Sequence, residues 1–261
     1  MMNIIRADLY RIARSKGMYI AFGIVLAISV VLTVVQGMGA DTMIVFEGNF
    51  LTGTEIEQVA VNGANAAAAL ISLASLIIML VIPIFTIVAG PIFQDGTVKN
   101  EVSWGISRTK LYAARLVIVG VLSVLLLVTL VGVGTGIATI LWGFGDGGLD
   151  ILASFAALSF MYVAAGWTGV FLVFTIKNGF VVVEVFGGLM IGVGFIAMIL
   201  GMAGVNVEAM LYFDMMTNVA RLANAAQLET RSLLLSLGVG MIWLVVPTVI
   251  GLTRFQRAEI K

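Results

Sequence analysis

Six runs with almost no charge divide this chain, and short polar segments separate them. The runs are 17–40, 65–90, 116–142, 151–176, 179–203 and 232–252, and only the fifth holds a charged residue, Glu184. A helix needs about 20 apolar residues to cross a bilayer core. Each run reaches that length and none alternates with the period of a barrel strand. The pattern therefore predicts an all-α integral membrane protein with six transmembrane helices. Residues 1–261 read as a single transmembrane domain, since no segment between the runs has room for a soluble one. The first run is too long for the apolar core of a signal peptide and reads as a retained helix.

The polar positions set the direction. Twelve of the fourteen Lys and Arg residues fall in the N-terminal segment, the 2–3 loop, the 4–5 turn and the tail, while only Arg221 and Arg231 fall on the other side. The positive-inside rule then places both termini in the cytoplasm. The opposite loops carry nine acids: Asp41, Glu47, Glu55, Glu57, Asp146, Asp150, Glu208, Asp214 and Glu229.

Composition narrows the chemistry. Hydrophobic residues make up 61% of the chain and charged residues 11%, against about 25% charged in an ordinary soluble domain. There is no His and no Cys. That removes the usual general base, zinc–thiolate sites, disulfides and thiol nucleophiles. No Gly-x-x-x-x-Gly-Lys-Ser/Thr phosphate loop is present, and nothing suggests nucleic-acid binding.

Two polar segments carry more than connection requires. Residues 3–16 form a basic amphipathic stretch in which Ile5, Leu9 and Ile12 share a stripe, as in a helix lying at the membrane surface ahead of the first span. The 2–3 loop mixes charges with Phe93, Val98, Val102, Trp104 and Ile106. A short helix is expected over 94–102, with Gly105 as its stop and Ser107 as the N-cap of the next helix. Such a segment is a docking surface for a soluble partner.

The pattern Phe93-x-Asp95-Gly96-Thr97-x-Lys99-Asn100, followed by Gly105-Ile106-Ser107-Arg108-Thr109-x-Leu111-Tyr112, resembles the cytoplasmic loop of ABC-2 type ABC-transporter permeases. The opening Arg6-x-Asp8-Leu9-Tyr10-Arg11-x-x-Arg14-Ser15-Lys16 resembles their N-terminal segment. The resemblance implies an elbow helix over 1–16 and a coupling helix over Phe93–Val102 that rests on a separate ATPase. Phe93, Gln94, Asp95, Gly96, Thr97, Lys99, Glu101 and Arg108 would form the contact. It also implies two copies of that ATPase, which would bind ATP and Mg, and a second permease copy or a related permease. This chain would bind no cofactor or metal and would not itself be an enzyme. By size it is most similar to small bacterial permeases of the bacitracin- and lantibiotic-immunity and phenol-soluble-modulin-exporter type. The expected place is the plasma membrane, and the expected cargo is hydrophobic or amphipathic peptide.

Within the runs, Glu184 is a candidate for the substrate path, or a residue near the cytoplasm that reaches interfacial water. Gly132-Val-Gly-Thr-Gly136 reads as helix packing rather than a phosphate cradle, and Gly188-x-x-x-Gly192 as support for close contacts at a subunit interface. Pro83 and Pro247 are expected to kink their helices. The segment 205–228 reads either as one or two short helices partly re-entering the outer leaflet and closing the exit, or as an interfacial helix with no gate role. The leading function is an ATP-driven exporter subunit. The alternative is an ATP-independent secondary transporter or channel, for which a single intramembrane charge is few. An intramembrane enzyme would need more ionisable groups within the spans.

Overall fold

A computed structural model describes residues 2–38, 42–49, 53–94 and 96–258. A short helix α1 (Met2–Ile12) precedes the first long helix α2 (Lys16–Met38), and a two-stranded ribbon follows, β1 (Thr42–Asn49) with β2 (Gly53–Ala60). Next come α3 (Gly63–Ser72), α4 (Ala74–Ile77), a 3₁₀ turn (Ile78–Leu80), α5 (Val81–Ala89), α6 (Pro91–Gln94) and α7 (Thr97–Ser103). The rest is α8 (Arg108–Trp142), α9 (Gly148–Ile176), α10 (Gly179–Met202), α11 (Glu208–Phe213), α12 (Met215–Ala223) and α13 (Thr230–Arg257).

Six helical segments are long and apolar enough to cross a membrane: Lys16–Val35, Ala74–Phe93, Arg108–Trp142, Gly148–Ile176, Gly179–Met202 and Thr230–Arg257. The chain is thus a mainly helical, multi-pass membrane protein. The helices α8 and α9 form the centre, with α5 between them. The outer helices α2, α10 and α13 pack on this centre and leave most of their surface outside.

Three features depart from the sequence expectation. The segment 42–60 contains antiparallel strands, with Thr42 opposite Ala60 and Asn49 opposite Gly53. Its β-branched and aromatic residues, among them Thr42, Ile44, Val45, Phe46, Thr54, Ile56 and Val59, suit a strand pair. The second run is also not one helix over 65–90. It breaks at Leu73 and tightens to a 3₁₀ turn at Ile78–Leu80. Pro83 accounts for the 3₁₀ turn: it has no N–H to offer the Met79 carbonyl, four residues back, and the Val81 N–H turns to Met79 instead. The third departure concerns the glycine run. Gly134 packs against Leu70, Thr33 and Ser29 with no room for a Cβ, but Gly132 and Gly136 do not pack on another helix. They line an open 640 Å³ cavity with Val128, Thr135, Ile151 and Phe155.

Pro247 behaves differently, because α13 runs through it. The carbonyl it frees belongs to Trp243, and Thr168 of α9 donates to that oxygen at 3.0 Å. Three further hydrogen bonds cross between helices. Ser29 Oγ donates to Leu130 O (2.6 Å), Tyr162 Oη to Ala74 O (2.7 Å) and Trp167 Nε1 to Leu116 O (2.9 Å). Such bonds contribute about 0.6 kcal/mol each on average in membrane bundles, so close packing must supply most of the cohesion.

Candidate functional site at the basic end of the bundle

The ends of α1, α5, α8 and α13 meet where the basic residues concentrate. Arg115, two turns inside α8, is fully buried, and no charge of that size can stay buried unpaired. Asp8 of α1, 5% exposed, forms its ion pair. Arg11 lies 3.4 Å from the same carboxylate and donates through Nη2 to the Val88 carbonyl of α5 at 2.9 Å. Glu101 of α7 reaches Arg115 Nη2 at 3.4 Å. One buried guanidinium thus joins α1, α7 and α8, and Arg11 adds α5.

This pairing revises the expected face of α1. Ile12 is buried and Ile5 half-buried, but Leu9 is exposed, and Asp8 takes the inward place. The attraction of Arg115 sets the rotation of the helix.

The 2–3 loop is also built differently from a single helix over 94–102. It forms α6 and α7 with a break between them, because Gly96 adopts φ +65°, a left-handed conformation that no helix interior holds. At the other end Gly105 (φ +79°) terminates α7 as expected, with its N–H bonded to Val102 O and the Ile106 N–H to Glu101 O. Ser107 caps α8 by accepting from the Lys110 N–H. The seven residues of α7 therefore stand between two glycines with positive φ. Val98, buried, and Glu101 attach α7 to the bundle, while Lys99, Asn100, Ser103 and Trp104 face outward. Trp104 is 79% exposed.

The residues expected to touch a partner divide accordingly. Gly96 and Lys99 are exposed and Thr97 is half-buried. Gln94 ends α6, and Asp95 lies outside the described residues. Phe93 packs edge-on against Phe174 at 5.1 Å, with Lys177 Nζ 5.9 Å from its ring. Phe174 also meets Tyr112 (4.9 Å) and Phe255 (4.8 Å), so four rings tie together α6, α8, α9 and α13. Arg108 faces α13: its Nη1 donates to the carbonyls of Phe255, Gln256 and Ala258 at 2.7–3.1 Å. A cation there satisfies the orphan carbonyls of a helix C-terminus. Glu101 points inward. Burial pushes its carboxyl above the usual carboxylate range, and the Arg11 charge draws it part of the way back.

Glu184 sits apart, exposed on the outer face of α10 and outside every ion pair among the described residues. Among the described residues, none of another helix lies within 4 Å of a Cβ added at Gly188 or Gly192 on this side of α10.

Sequence reasoning missed Asp8, Arg115 and Asp214 as buried charges. Asp8 enters there only as part of the N-terminal pattern, and Arg115 and Asp214 only as charges of their loops. A basic or acidic residue just beyond an apolar run looks the same whether it faces water or another helix. No family model matches this sequence, and no curated protein matches it.

Proposed function

We propose that this chain is the transmembrane permease subunit of an ATP-driven exporter, with its basic end in the cytoplasm. A separate ATPase would dock on the outward face of α7. The observation that carries this reading is the mounting of α7: a short helix between two left-handed glycines, tethered by Glu101 and Val98, presenting Lys99, Asn100, Ser103 and Trp104. A helix held this way can be pushed as a unit. Through Arg115 and Asp8 its displacement would reach α8 and α1 together. Two copies, or one copy and a related permease, would enclose the path, and the ATPase would hold ATP and Mg. Apolar walls with few charges suit hydrophobic or amphipathic peptide cargo better than a hydrophilic ion. The plasma membrane of a bacterium is the expected setting.

Transport into inside-out reconstituted vesicles tests this. Uptake of an amphipathic peptide should require both the ATPase and ATP, and Trp104→Ala with Lys99→Glu should abolish it without loss of the folded permease. Arg108→Ala is a poor probe, since Arg108 caps α13.

Two observations favour a second reading. The second span is broken and Asp214 is buried inside the bundle, and both features suit an ion-coupled secondary transporter. Uptake driven by an ion gradient without ATP would select it.

A further inference from the structure

The segment between α10 and α13 dips into the bundle and returns. Val207 lies against Gly201, at the end of α10. Six residues on, the Phe213 carbonyl accepts from Trp243 Nε1 at 3.2 Å. Trp243 is thirteen residues inside α13, or about 20 Å at 1.5 Å per residue. Asp214 lies beside the backbone of Gly194, eight residues or about 12 Å short of the end of α10. The Ala225 N–H then meets Ser154 Oγ, only six residues into α9. So α11 descends, the chain turns at Phe213–Asp214 well within the bundle, and α12 climbs back. Met215, Met216, Val219 and Leu222 of α12 are buried.

At that turn the polar groups are incompletely matched. Asp214 Oδ2 accepts from the Thr217 N–H (2.7 Å) and from Thr217 Oγ1 (2.6 Å). Asn218 Nδ2 donates to the carbonyls of Tyr212 and Asp214, both at 2.7 Å. Asp214 Oδ1 and Asn218 Oδ1 remain, both buried, both acceptors and both without a donor, on residues that are 0% exposed. They are one turn apart on α12. A buried oxygen without a donor costs about 1–3 kcal/mol, and more if it carries charge.

We propose that Asp214 carries a proton on Oδ1 while the hairpin is seated, with Asn218 Oδ1 as its acceptor, and releases that proton to water when the hairpin leaves the bundle. One proton supplies the donor that both oxygens lack and removes a charge from a dry site. Other charges lie elsewhere. Arg221, two turns along α12, is the basic group whose charge acts on Asp214. It forms no ion pair with it, and its guanidinium stacks on the Tyr212 ring at 4.4 Å. Asp150 of α9, Arg231 of α13 and Glu208 of α11 stand near the acidic end of their helices, and Glu184 near the opposite end of α10. β1 carries Glu47, and neither α3 nor α4 carries a charge. Burial pushes the Asp214 carboxyl up, and its hydrogen bonds and Arg221 offset this only in part. The seated state holds the extra proton, so it is favoured as pH falls and weakens as pH rises through the seated value.

The absence of native cysteine makes the test direct. Met216→Cys, buried when the hairpin is seated, is labelled in nanodiscs with a charged thiosulfonate. Its rate is divided by that of Asn206→Cys, which is exposed, so that thiol ionisation cancels. From pH 5 to pH 9 the ratio should rise about threefold or more. With Asp214→Asn, which is neutral at every pH, it should stay low throughout, and Asp214→Glu should restore the rise. A high ratio at every pH for a folded Asp214→Asn protein would mean that a charged Asp214 holds the hairpin, which overturns the proposal. So would a flat or falling ratio in the native background.

Discussion

The two ends of the bundle use charge in opposite ways. At the basic end the polar contacts run between distant elements: Asp8 to Arg115, Arg11 to Val88, Glu101 to Arg115, Arg108 to Phe255. At the acidic-end hairpin they stay local. Asp214, Thr217, Asn218, Arg221 and Tyr212 bond or stack on one another within ten residues. The Trp243–Phe213 and Ala225–Ser154 bonds tie the hairpin to α13 and α9. The basic end is cross-linked, so moving one element there strains its neighbours. The hairpin is self-contained and seated by apolar packing, so it can move without breaking an ion pair.

The comparison can be broken at several points. Arg115→Met leaves the buried Asp8 with only the half-exposed Arg11 at 3.4 Å and should cost about 3 kcal/mol. The thermal midpoint of the purified protein reads this, and adding Asp8→Asn should recover part of the loss. Equal melting of single and double variants would mean that the charges are not coupled. Next, Asn218→Leu removes both bonds that close the hairpin turn and should cost about 1–3 kcal/mol. The labelling ratio of Met216→Cys should rise while hydrogen exchange in α1 and α7 stays unchanged. A spread to α7 would deny that the hairpin is self-contained.

Arg108→Ala should release the last turn of α13 at a cost of about 1 kcal/mol. Faster amide exchange confined to 255–258 and the start of α8 is the expected signature. The smallest effect belongs to Glu101→Gln, below about 1 kcal/mol. Docking raises the Glu101 pKa, so docked α7 binds its proton more tightly than free α7 does. Protection of α7 should therefore decline as pH rises through the docked value, and Glu101→Gln should abolish that decline. Protection that instead grows with pH would show that the ion pair with Arg115 dominates burial.

Much of this architecture is legible in the sequence because lipid is an exacting solvent. Uncharged runs of sufficient length located all six membrane-length helices, although the second starts nine residues later and the third eight residues earlier than its run, and the sixth ends five residues beyond it. The Gly105 stop and the Ser107 cap follow from local chemistry. The break in the second span needed more than Pro83, since it begins ten residues earlier, at Leu73. The inward turns of Asp8, Glu101 and Arg108 were hidden because their partners lie from 14 to 150 residues away in sequence. A charge pattern identifies a polar face but not whether water, another helix or a second protein covers it. Re-entry of 205–228 is among the readings the sequence allows, but the burial of Asp214 stays hidden in it, since the depth of a re-entering turn depends on the helices that pack around it.

The central claim is that the outward face of α7 receives a soluble ATPase. The most direct measurement is purification of the chain from its native host in mild detergent, with mass spectrometry of what accompanies it. The account predicts a stoichiometric P-loop ATPase that is lost on Trp104→Ala with Lys99→Glu, while the permease itself stays folded. An intact six-helix protein that brings no ATPase would contradict it.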